Sequence, residues 1–554
     1  MLIKWLSFIL LLSALVSSTA HAATYTAASC STSNVQTAIN STVEGDTVII
    51  PAGTCTWASG VTISGKGITV TGQGSGRIIA YSASTLAIGT GPKTLSVTST
   101  TVTVDGSGHP IPASLSISAG QTLRISETGN RQNWMSGTVS SYSAGTLVMN
   151  MTSTGGSCGN SANQFSPSNC KRWLVSTPPV TTIINNSGST LFAISESPTA
   201  HTNISGIKIA AGTGSGTEVN FGYTPSGRAI LMHDMWLEEG SAGNNSLHSS
   251  TMHGVVWNTS FDATPFSMAP LAFQNQPGLS GSPQIGIASW TTPSTMGRAD
   301  TTGENNFYVE NSDFHAYLNA FDNDEAGRLV VRYTTMNNAG LGTHGADTGP
   351  YGQRHFEFYN NVNVFNPFSD GTTFPMNQWF FIRGGTFVIY NNAIPLVNSG
   401  DYPNKPTLNM TVMNLQRNGG PNPCWGQGTT GGGRYPSPRQ IGMGRVSGIG
   451  VDGLGQSTDS VTYVGDSEPG YVWGNNGGVQ LGNIQLTNYG TSFSDSCAGT
   501  TDSTANYVGA GRDYFNTANT AKPGWSPYTY PHPLRTGSSG TALSAPTNLR
   551  VAVN

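Results

Sequence analysis

The chain has 554 residues, of which 9% are charged, far below the roughly 25% usual in globular proteins, and its net charge is −4. No basic run could follow a phosphate backbone, so we expect no nucleic-acid partner. Aromatic residues make up 9% of the chain, which argues against disorder. Glycine, serine, threonine and asparagine replace the usual helix formers, so we expect an all-β fold.

The first 22 residues have the pattern of a secretory signal peptide. Lys4 precedes an apolar run over residues 6–16, and Ala20 and Ala22 are small residues at the positions that a signal peptidase reads. No other stretch approaches the roughly 18 apolar residues of a spanning helix. We therefore expect a secreted protein without a membrane span, located outside the cell, at its surface or in the periplasm.

Six cysteines follow the signal segment, an even number that suits an oxidising compartment. None belongs to a Cys-x-x-Cys pair, so a zinc or redox site is not indicated. Six cysteines can pair in about 15 ways. Proximity in the sequence favours three disulfides, namely Cys30–Cys55, Cys158–Cys170 and Cys424–Cys497.

Residues 23–92 begin with a short amphipathic helix at 35–39 and a turn–strand–turn at 45–53, which reads GDTVIIPAG. Strands bounded by glycine follow at 61–63 and 68–72. Here the sequence resembles secreted bacterial proteins of the pectate-lyase-like superfamily, in which a helix caps the first coil. The resemblance implies a single-stranded right-handed parallel β-helix, an all-β solenoid, and says little about activity.

Residues 93–177 interrupt this pattern with a threonine-, serine- and valine-rich β segment. The parts 135–152 and 172–175 resemble a small β module of phage tail and surface proteins. We interpret residues 93–177 as a module inserted between coils, with Cys158–Cys170 closing its loop.

The main β-helix is predicted over residues 178–415, where five strands align at 254–261, 307–314, 329–336, 356–363 and 387–394. Because side chains alternate between faces along a strand, three columns follow. The first should point inward: Val256, Val309, Val331, Phe358 and Ile389. The second should form an inward asparagine ladder at a turn: Asn258, Asn311, Tyr333, Asn360 and Asn391. The third should face solvent: Trp257, Glu310, Arg332, Tyr359 and Tyr390.

Residues 416–535 begin with glycine-rich loops at 419–438, and the proline- and tyrosine-rich stretch at 527–534 cannot form a regular ladder. We predict irregular coils and a segment that wraps the last coils and covers their open edge. Residues 536–554 read as a glycine- and serine-rich tail.

Charged residues concentrate in residues 301–360, which also contain three histidines. Eleven charged side chains fall there: Glu304, Glu310, Asp313, Asp322, Asp324, Glu325, Arg328, Arg332, Asp347, Arg354 and Glu357. Arg328 and His355 occupy the same position in successive rows, five residues before the ladder. Since stacked strands lie about 4.8 Å apart, these groups should converge at one edge of the stack.

Such a cluster suits β-elimination of a uronic-acid polysaccharide, in which a cation neutralises the substrate carboxylate and a base removes the adjacent proton. We assign calcium, with no organic cofactor, to Asp322, Asp324 and Glu325. The candidate catalytic residues are Arg354, His344, Arg328 and Asp347. The candidate substrate-binding residues are Arg332, Arg383, Tyr359, Tyr390 and His355.

Several alternatives remain open. A polygalacturonase-like hydrolase would need two flanking carboxylates, and Asp313 and Asp322 are too close in sequence to lie one coil apart. A non-enzymatic adhesin, filament subunit or glycan-binding protein would suit the low charge. Glu310 and Arg332 could form an ion pair across coils, and the tyrosines could pack beneath the C-terminal wrap. His248 and His253 read as surface or loop residues. The expected partner is a polysaccharide or cell-surface glycan.

Overall fold

Short β-strands return to three parallel sheets in a fixed order, which we call sheets A, B and C. The computed structural model describes residues 22–127, 131–157, 170, 172–224, 227–239, 246–251, 253–263, 271–275, 300, 302–304, 306–315, 317, 319–324, 327–343, 353, 355–364, 378–382, 385–394, 411–415, 469–475, 484–486, 492–495, 500–503, 510–511, 514–516 and 520–537. In this part, helix α1 (Thr32–Ser41) lies near the start and helix α2 (Leu534–Gly537) near the end.

Between residues 47 and 382, each coil passes through sheet A, then B, then C, and the described strands that continue the stack later in the chain belong to sheets A and C. Sheet A contains β1 (Thr24–Thr26), β2 (Thr47–Ile49), β5 (Thr69–Thr71), β17 (Thr202–Ser205), β20 (Ile230–His233), β23 (Gly254–Trp257), β26 (Phe307–Glu310), β29 (Arg328–Arg332), β32 (His355–Tyr359), β35 (Thr386–Tyr390), β37 (Gly470–Trp473) and β41 (Tyr514–Asn516). Sheet B contains β3 (Gly53–Trp57), β15 (Thr181–Asn185), β18 (Lys208–Ala210), β21 (Trp236–Glu239), β24 (Ser260–Ala263), β27 (Asp313–His315), β30 (Thr335–Asn337) and β33 (Val362–Val364).

Sheet C contains β4 (Val61–Ile63), β16 (Phe192–Ser195), β19 (Val219–Gly222), β22 (Leu247–Ser249), β25 (Leu271–Asn275), β28 (Asn319–Asn323), β31 (Leu341–Thr343), β34 (Gln378–Ile382), β36 (Thr411–Leu415) and β38 (Ile484–Leu486). The inward side chains of the three sheets and of α1 form one continuous apolar core. The predicted helix at 35–39 is confirmed, and Val35, Ala38 and Ile39 bury its apolar face.

The predicted inward column is confirmed. Val256, Val309, Val331, Phe358 and Ile389 pair in register along sheet A, and each side chain is at most 1% exposed. This regularity follows from the two-residue period of a strand. Burial of a large apolar side chain in every coil stabilises the stack by roughly 1.5–3 kcal/mol per residue.

The predicted asparagine ladder is displaced by one residue. Asn258, Asn311, Tyr333, Asn360 and Asn391 form the A–B corner with left-handed φ angles of 47–56°, a conformation that asparagine tolerates well. This corner residue interrupts the alternation, so the residue after it points inward. The inward ladder therefore contains Asn361 and Asn392, and Asn361 Nδ2 donates hydrogen bonds to Val331 O at 3.0 Å and Asn392 Oδ1 at 3.1 Å.

The column expected to face solvent lies on the outer face of sheet A, but the expectation of exposure is wrong. Trp257 is 6% exposed, Tyr359 is 1% exposed, and Glu310 and Arg332 are fully buried. Residues 520–537, which we call the C-terminal segment, pack over this face through Trp525, Tyr528 and Leu534. In the described part of the chain, the segment therefore covers a sheet face rather than the open end of the stack.

The interrupting segment forms a separate antiparallel sheet of seven strands: β6 (Ile78–Ser82), β7 (Gly91–Ser96), β8 (Thr98–Ser99), β11 (Thr122–Glu127), β12 (Trp134–Ser143), β13 (Thr146–Gly155) and β14 (Trp173–Ser176). A hairpin of β9 (Val102–Val104) and β10 (Pro110–Pro112) adjoins it. The sheet starts at Ile78, whereas the sequence predicted a start at residue 93. The prediction missed β6 because this strand alternates like a coil strand, and its different pairing cannot be recognised from the local sequence pattern.

This inserted sheet packs on the outer face of sheet B. Ile78 N donates a hydrogen bond to Ser260 Oγ at 3.1 Å, and Ile78 packs with Trp236. Arg131 pairs with the buried Asp262, and Thr335 Oγ1 donates to Thr100 O at 2.8 Å. Contacts with strands of three coils therefore hold the inserted sheet against the stack.

The Cys30–Cys55 disulfide is confirmed, with an S–S distance of 1.96 Å. Cys170 is also disulfide-bonded. Cys158, Cys424 and Cys497 lie outside the described residues, so the other two pairings stay predictions. A hairpin of β39 (Ser492–Asp495) and β40 (Thr500–Ser503) completes the strands. No helix in the described ranges is long and apolar enough to cross a membrane.

Candidate functional site

Arg332, a predicted substrate-binding residue, is enclosed between sheet A and the C-terminal segment. Its Nε donates to Glu310 Oε1 at 2.8 Å, and its Nη1 donates to Tyr359 OH at 2.9 Å and to Tyr528 O at 2.6 Å. Glu310 also accepts a hydrogen bond from Arg535 Nη1 at 2.8 Å. These contacts make the alternative of a structural ion pair across coils the better description of Arg332.

Arg328 and His355 converge as predicted, but they are buried on the same covered face. They pair in register, with exposed fractions of 5% and 0%. Arg328 Nε donates to Asn306 Oδ1 at 2.7 Å, while the His355 ring nitrogens lie 2.7 Å from Thr386 Oγ1 and 3.0 Å from Glu357 Oε1. Burial lowers the pKa of His355 to about 4, although Glu357 opposes this effect. A neutral, enclosed histidine fits a structural role.

The predicted aromatic platform is a packing patch. The rings of Tyr359, Tyr390 and Trp473 stack in successive coils at centroid distances of 5.0 and 4.8 Å. Trp525 of the C-terminal segment meets all three at 74–78°, and its Nε1 donates to Glu357 Oε1 at 3.0 Å. The stack is thus covered along its edge by one tryptophan, which leaves little ring surface for a sugar.

Sheet C carries a polar column on its outer face. Positions 220, 248, 274, 322 and 342 are in register along five coils, and the column contains Asn220, His248 and Asp322. Asn220 and His248 keep part of their surface exposed, and His248 Nδ1 lies 3.4 Å from Asn220 Oδ1. Asp322 is 1% exposed. Its carboxylate and the imidazole of His248 stand two coils apart, roughly 10 Å by the strand spacing.

The predicted residue Asp324 lies at the edge where strands of sheet C end and the chain turns into sheet A, which we call the C–A edge. Asp324 directly follows β28 and is 2% exposed, and Gly327 N donates to its carbonyl at 2.7 Å. His344 and Arg383 directly follow the paired strands β31 and β34 in the chain. The predicted site residues His344, Asp347, Arg354, Arg383 and Glu325 lie outside the described residues, so their roles stay predictions.

The sequence interpretation missed an acid–histidine pair at the C–A edge. His253 Nδ1 lies 3.2 Å from Glu196 Oε1. Glu196 is 1% exposed and also accepts hydrogen bonds from Thr224 N at 3.0 Å and from Thr251 Oγ1. Burial lowers the pKa of His253, but the neighbouring carboxylate of Glu196 outweighs this effect, so the pKa lies above its ordinary value.

A signal for His253 was present in the sequence. His253 directly precedes β23. The same position of the later coils is occupied by Asn306, Arg328 and His355. His253 stands five residues before the corner residue Asn258, the same offset that identified Arg328 and His355. Unlike those two, its side chain is 24% exposed. It can therefore exchange protons with a bound ligand.

Metal binding by the predicted triad is not tested, because Glu325 is not among the described residues. Within the ranges that are described, no three histidine, cysteine, aspartate or glutamate side chains are grouped to hold a metal ion.

No protein-family model matches the chain, and no curated protein matches it. The solved structures that resemble this chain have low sequence identity to it and low TM-scores. The tailspike gp49 of Pseudomonas phage LKA1 is 10% identical over 70% of this chain and 66% of its own, with a TM-score of 0.18. The tailspike gp61 of Pseudomonas phage phi297 is 11% identical over 73% and 72%, with a TM-score of 0.13.

A third structure, named a glycoside hydrolase, is 9% identical over 70% of this chain and 88% of its own, with a TM-score of 0.22. The chain thus spans about two thirds of the gp49 structure. TM-scores of this size carry no argument about family or activity.

Proposed function

We propose that the chain is a secreted, glycan-active protein that binds its polysaccharide on the outer face of sheet C and along the C–A edge. One observation supports this choice of surface. The C-terminal segment covers sheet A and the inserted sheet covers sheet B, whereas Asn220, His248 and His253 near sheet C keep exposed surface. Residues 1–22 would direct export, and the product is an extracellular or cell-surface protein.

We infer that the coils form a right-handed parallel β-helix. The chain moves from each strand of a sheet, through two other sheets, to the next parallel strand of the same sheet. Crossovers between parallel strands of one sheet are right-handed in about 98% of cases. A stack of this kind offers binding positions that repeat along its axis every 4.8 Å or so, a spacing suited to a linear polymer.

β-Elimination is the reaction that the acid–histidine pair favours. A neutral His253 would accept the proton next to the uronate carboxylate, electrons would form the new double bond, and the glycosidic oxygen would leave. Glu196 holds the imidazole and stabilises its protonated form. Calcium at Asp322, Asp324 and Glu325, or Arg354 and Arg383, would neutralise the substrate carboxylate.

Hydrolysis is the second candidate, for a specific reason. Asp322 and Asp324 are two residues apart at the end of β28, which places their backbones roughly 6.6–6.8 Å apart in an extended chain. Two neighbouring carboxylates on one edge are the pair that an inverting glycosidase needs. Asp324 or Asp322 would then activate water while the other protonates the leaving oxygen.

The test is to incubate the purified protein with uronic-acid polymers, with and without calcium. A lyase produces unsaturated uronates that absorb in the ultraviolet, whereas a hydrolase produces reducing ends without that absorbance. We expect His253→Gln and Asp322→Asn each to lower the rate by at least about 10²-fold, the scale of a lost acid or base.

His109→Gln is the matched control, because His109 is 47% exposed on the inserted hairpin. Full activity of both site variants would place the reaction elsewhere. Binding of a polymer that depends on Asn220 and His248 but is never followed by cleavage would establish the non-enzymatic alternative.

A further inference from the structure

Four polar side chains meet inside the stack, at the corner between sheets B and C. Leu237 and Ala263 point into the core, so Glu239, two residues after Leu237 and paired with Ala263, points inward as well. Glu218 and Ser246 occupy the same position in consecutive coils, because Val219 pairs with Leu247. Tyr317, another core residue, comes from two coils further along.

These side chains are buried close together: Ser246 lies beside Glu218, and Tyr317 lies beside Glu239 and Ser246, but none of these pairs has the geometry of a full hydrogen bond. Glu218 and Glu239 are 4% and 3% exposed, and Ser246 and Tyr317 are fully buried. Five of their oxygens make no hydrogen bond in the described part of the molecule: Glu218 Oε2, both carboxylate oxygens of Glu239, Ser246 Oγ and Tyr317 OH. Since unsatisfied buried polar groups are rare in folded proteins, five at one place indicate that something binds between them.

Two carboxyl groups are buried close together at this corner, an arrangement that favours the binding of a cation. Burial raises the pKa of Glu239 well above its ordinary value, and the charge of Glu218 raises it further. Burial likewise raises the pKa of Glu218, with Glu238 adding to the effect. No described basic side chain offsets these effects. Two ionised carboxylates here would be strongly unfavourable unless a positive charge lay between them.

We propose that this corner, which we call the interior acidic corner, binds a single calcium ion. The three unpartnered carboxylate oxygens and the hydroxyls of Ser246 and Tyr317 supply five ligands. The second carboxylate oxygen of Glu218 would raise the number to six, within the six to eight that calcium takes. The charge of a divalent ion balances two carboxylates. Magnesium fits less well, since it demands near-octahedral geometry and retains several waters.

The small side chain of Ala263 lies between the acidic residues and Tyr317 along the stack. A methyl group leaves room that a larger residue would fill, so the tyrosine hydroxyl can approach the carboxylates. The ion would join side chains from three coils and would be enclosed during folding. This site is separate from the predicted Asp322, Asp324 and Glu325 cluster on the outside, and it does not depend on the proposed function.

The test measures calcium directly in the full chain. The protein is unfolded in chelator, refolded with or without calcium, dialysed against metal-free buffer, and examined by elemental analysis and thermal unfolding. We expect retained calcium after refolding with the ion, and a Tm higher than that of the metal-free protein. Wild-type protein that retains no calcium, with the same Tm in both preparations, would overturn the proposal and indicate a protonated, hydrated pair.

Variants locate the ion. Glu239→Gln should abolish the retained calcium and remove the dependence of Tm on calcium. If Glu239→Gln does not refold, Tyr317→Phe replaces it, and this variant should keep the fold and retain less calcium. Asp322→Asn and the exposed Glu304→Gln should retain the interior ion. Loss of calcium in Asp322→Asn but not in Tyr317→Phe would assign the metal to the outer cluster and refute the interior site.

Discussion

The buried His355 makes the stability of the folded chain depend on pH. Its folded pKa of about 4 lies below the usual 6.5, so the folded state binds this proton less readily than the unfolded state. The contribution to stability is therefore fully present above pH 6.5 and is lost as pH falls toward 4. It amounts to at most about 3 kcal/mol.

We expect His355→Gln to lose much of this pH dependence, as measured by urea unfolding at several pH values between 7 and 4. His109→Gln, on the exposed hairpin, should keep the wild-type dependence. An unchanged slope in His355→Gln would assign the acid sensitivity to other groups.

Arg332 should matter for stability rather than for binding. Arg332→Ala leaves Glu310 buried with Arg535 as its other ionic partner and leaves the Tyr528 and Thr529 carbonyls without a donor. Removing one member of a buried ion pair costs about 3–5 kcal/mol, and we expect the lower end because Arg535 remains. Denaturant unfolding measures this loss, and Arg228→Ala, at an exposed position, should stay within about 0.5 kcal/mol of wild type.

If Arg332→Ala instead retained its stability and lost polysaccharide binding, Arg332 would be a substrate-binding residue as the sequence first indicated.

At single positions, the sequence predicted the strand interior better than the corner. Val256 and its partners follow a simple alternation that any strand imposes. Asn258 and its partners interrupt this alternation, because a residue with a left-handed backbone conformation changes the face on which the next side chain lies. The residue type hinted at this, since asparagine favours that conformation, but Tyr333 in the same column did not. Only the backbone reveals that the ladder starts at Asn361.

Among the elements, the C-terminal segment should act as an essential cover. Ending the chain after residue 519 would expose Trp257, Tyr308 and Tyr359, which form an apolar cluster with Trp525, Tyr528 and Leu534. Large exposed apolar patches promote association. We expect a lower Tm and increased binding of a hydrophobic dye, while ending the chain after residue 537 should change neither. A protein shortened to 519 residues with a wild-type Tm would show that the segment adds no stability.

The partner of this segment could not be predicted from the sequence. Trp525 meets Glu357 across 168 residues, and a proline- and tyrosine-rich stretch has no period that indicates which face it covers. The strands of the coils were easier to predict, since each repeats the apolar pattern of its neighbour. The start of the inserted sheet was missed for a related reason, because β6 has the alternation of a coil strand.

For the molecule as a whole, the sequence predicted the parallel stack and the convergence of polar residues, but not which faces are covered. The scarcity of charge directed attention to residues 301–360, and in the structure Arg328, Arg332 and His355 are enclosed. From the sequence, His253 was interpreted as a surface or loop residue. Its significance depends on Glu196, which the coil geometry brings next to it from 57 positions earlier in the chain.

The segments that connect one sheet to the next differ in how much their lengths vary from coil to coil. Two residues always separate sheets A and B in the coils from β20 to β33, at 234–235, 258–259, 311–312, 333–334 and 360–361. In the same coils, the connections from sheet C to sheet A range from four residues, at 324–327, to 31 residues, at 276–306. Evolution can therefore lengthen or replace segments beside the C–A edge without disturbing the stack, and grafting foreign loops there offers a route to new ligand specificities on an unchanged scaffold.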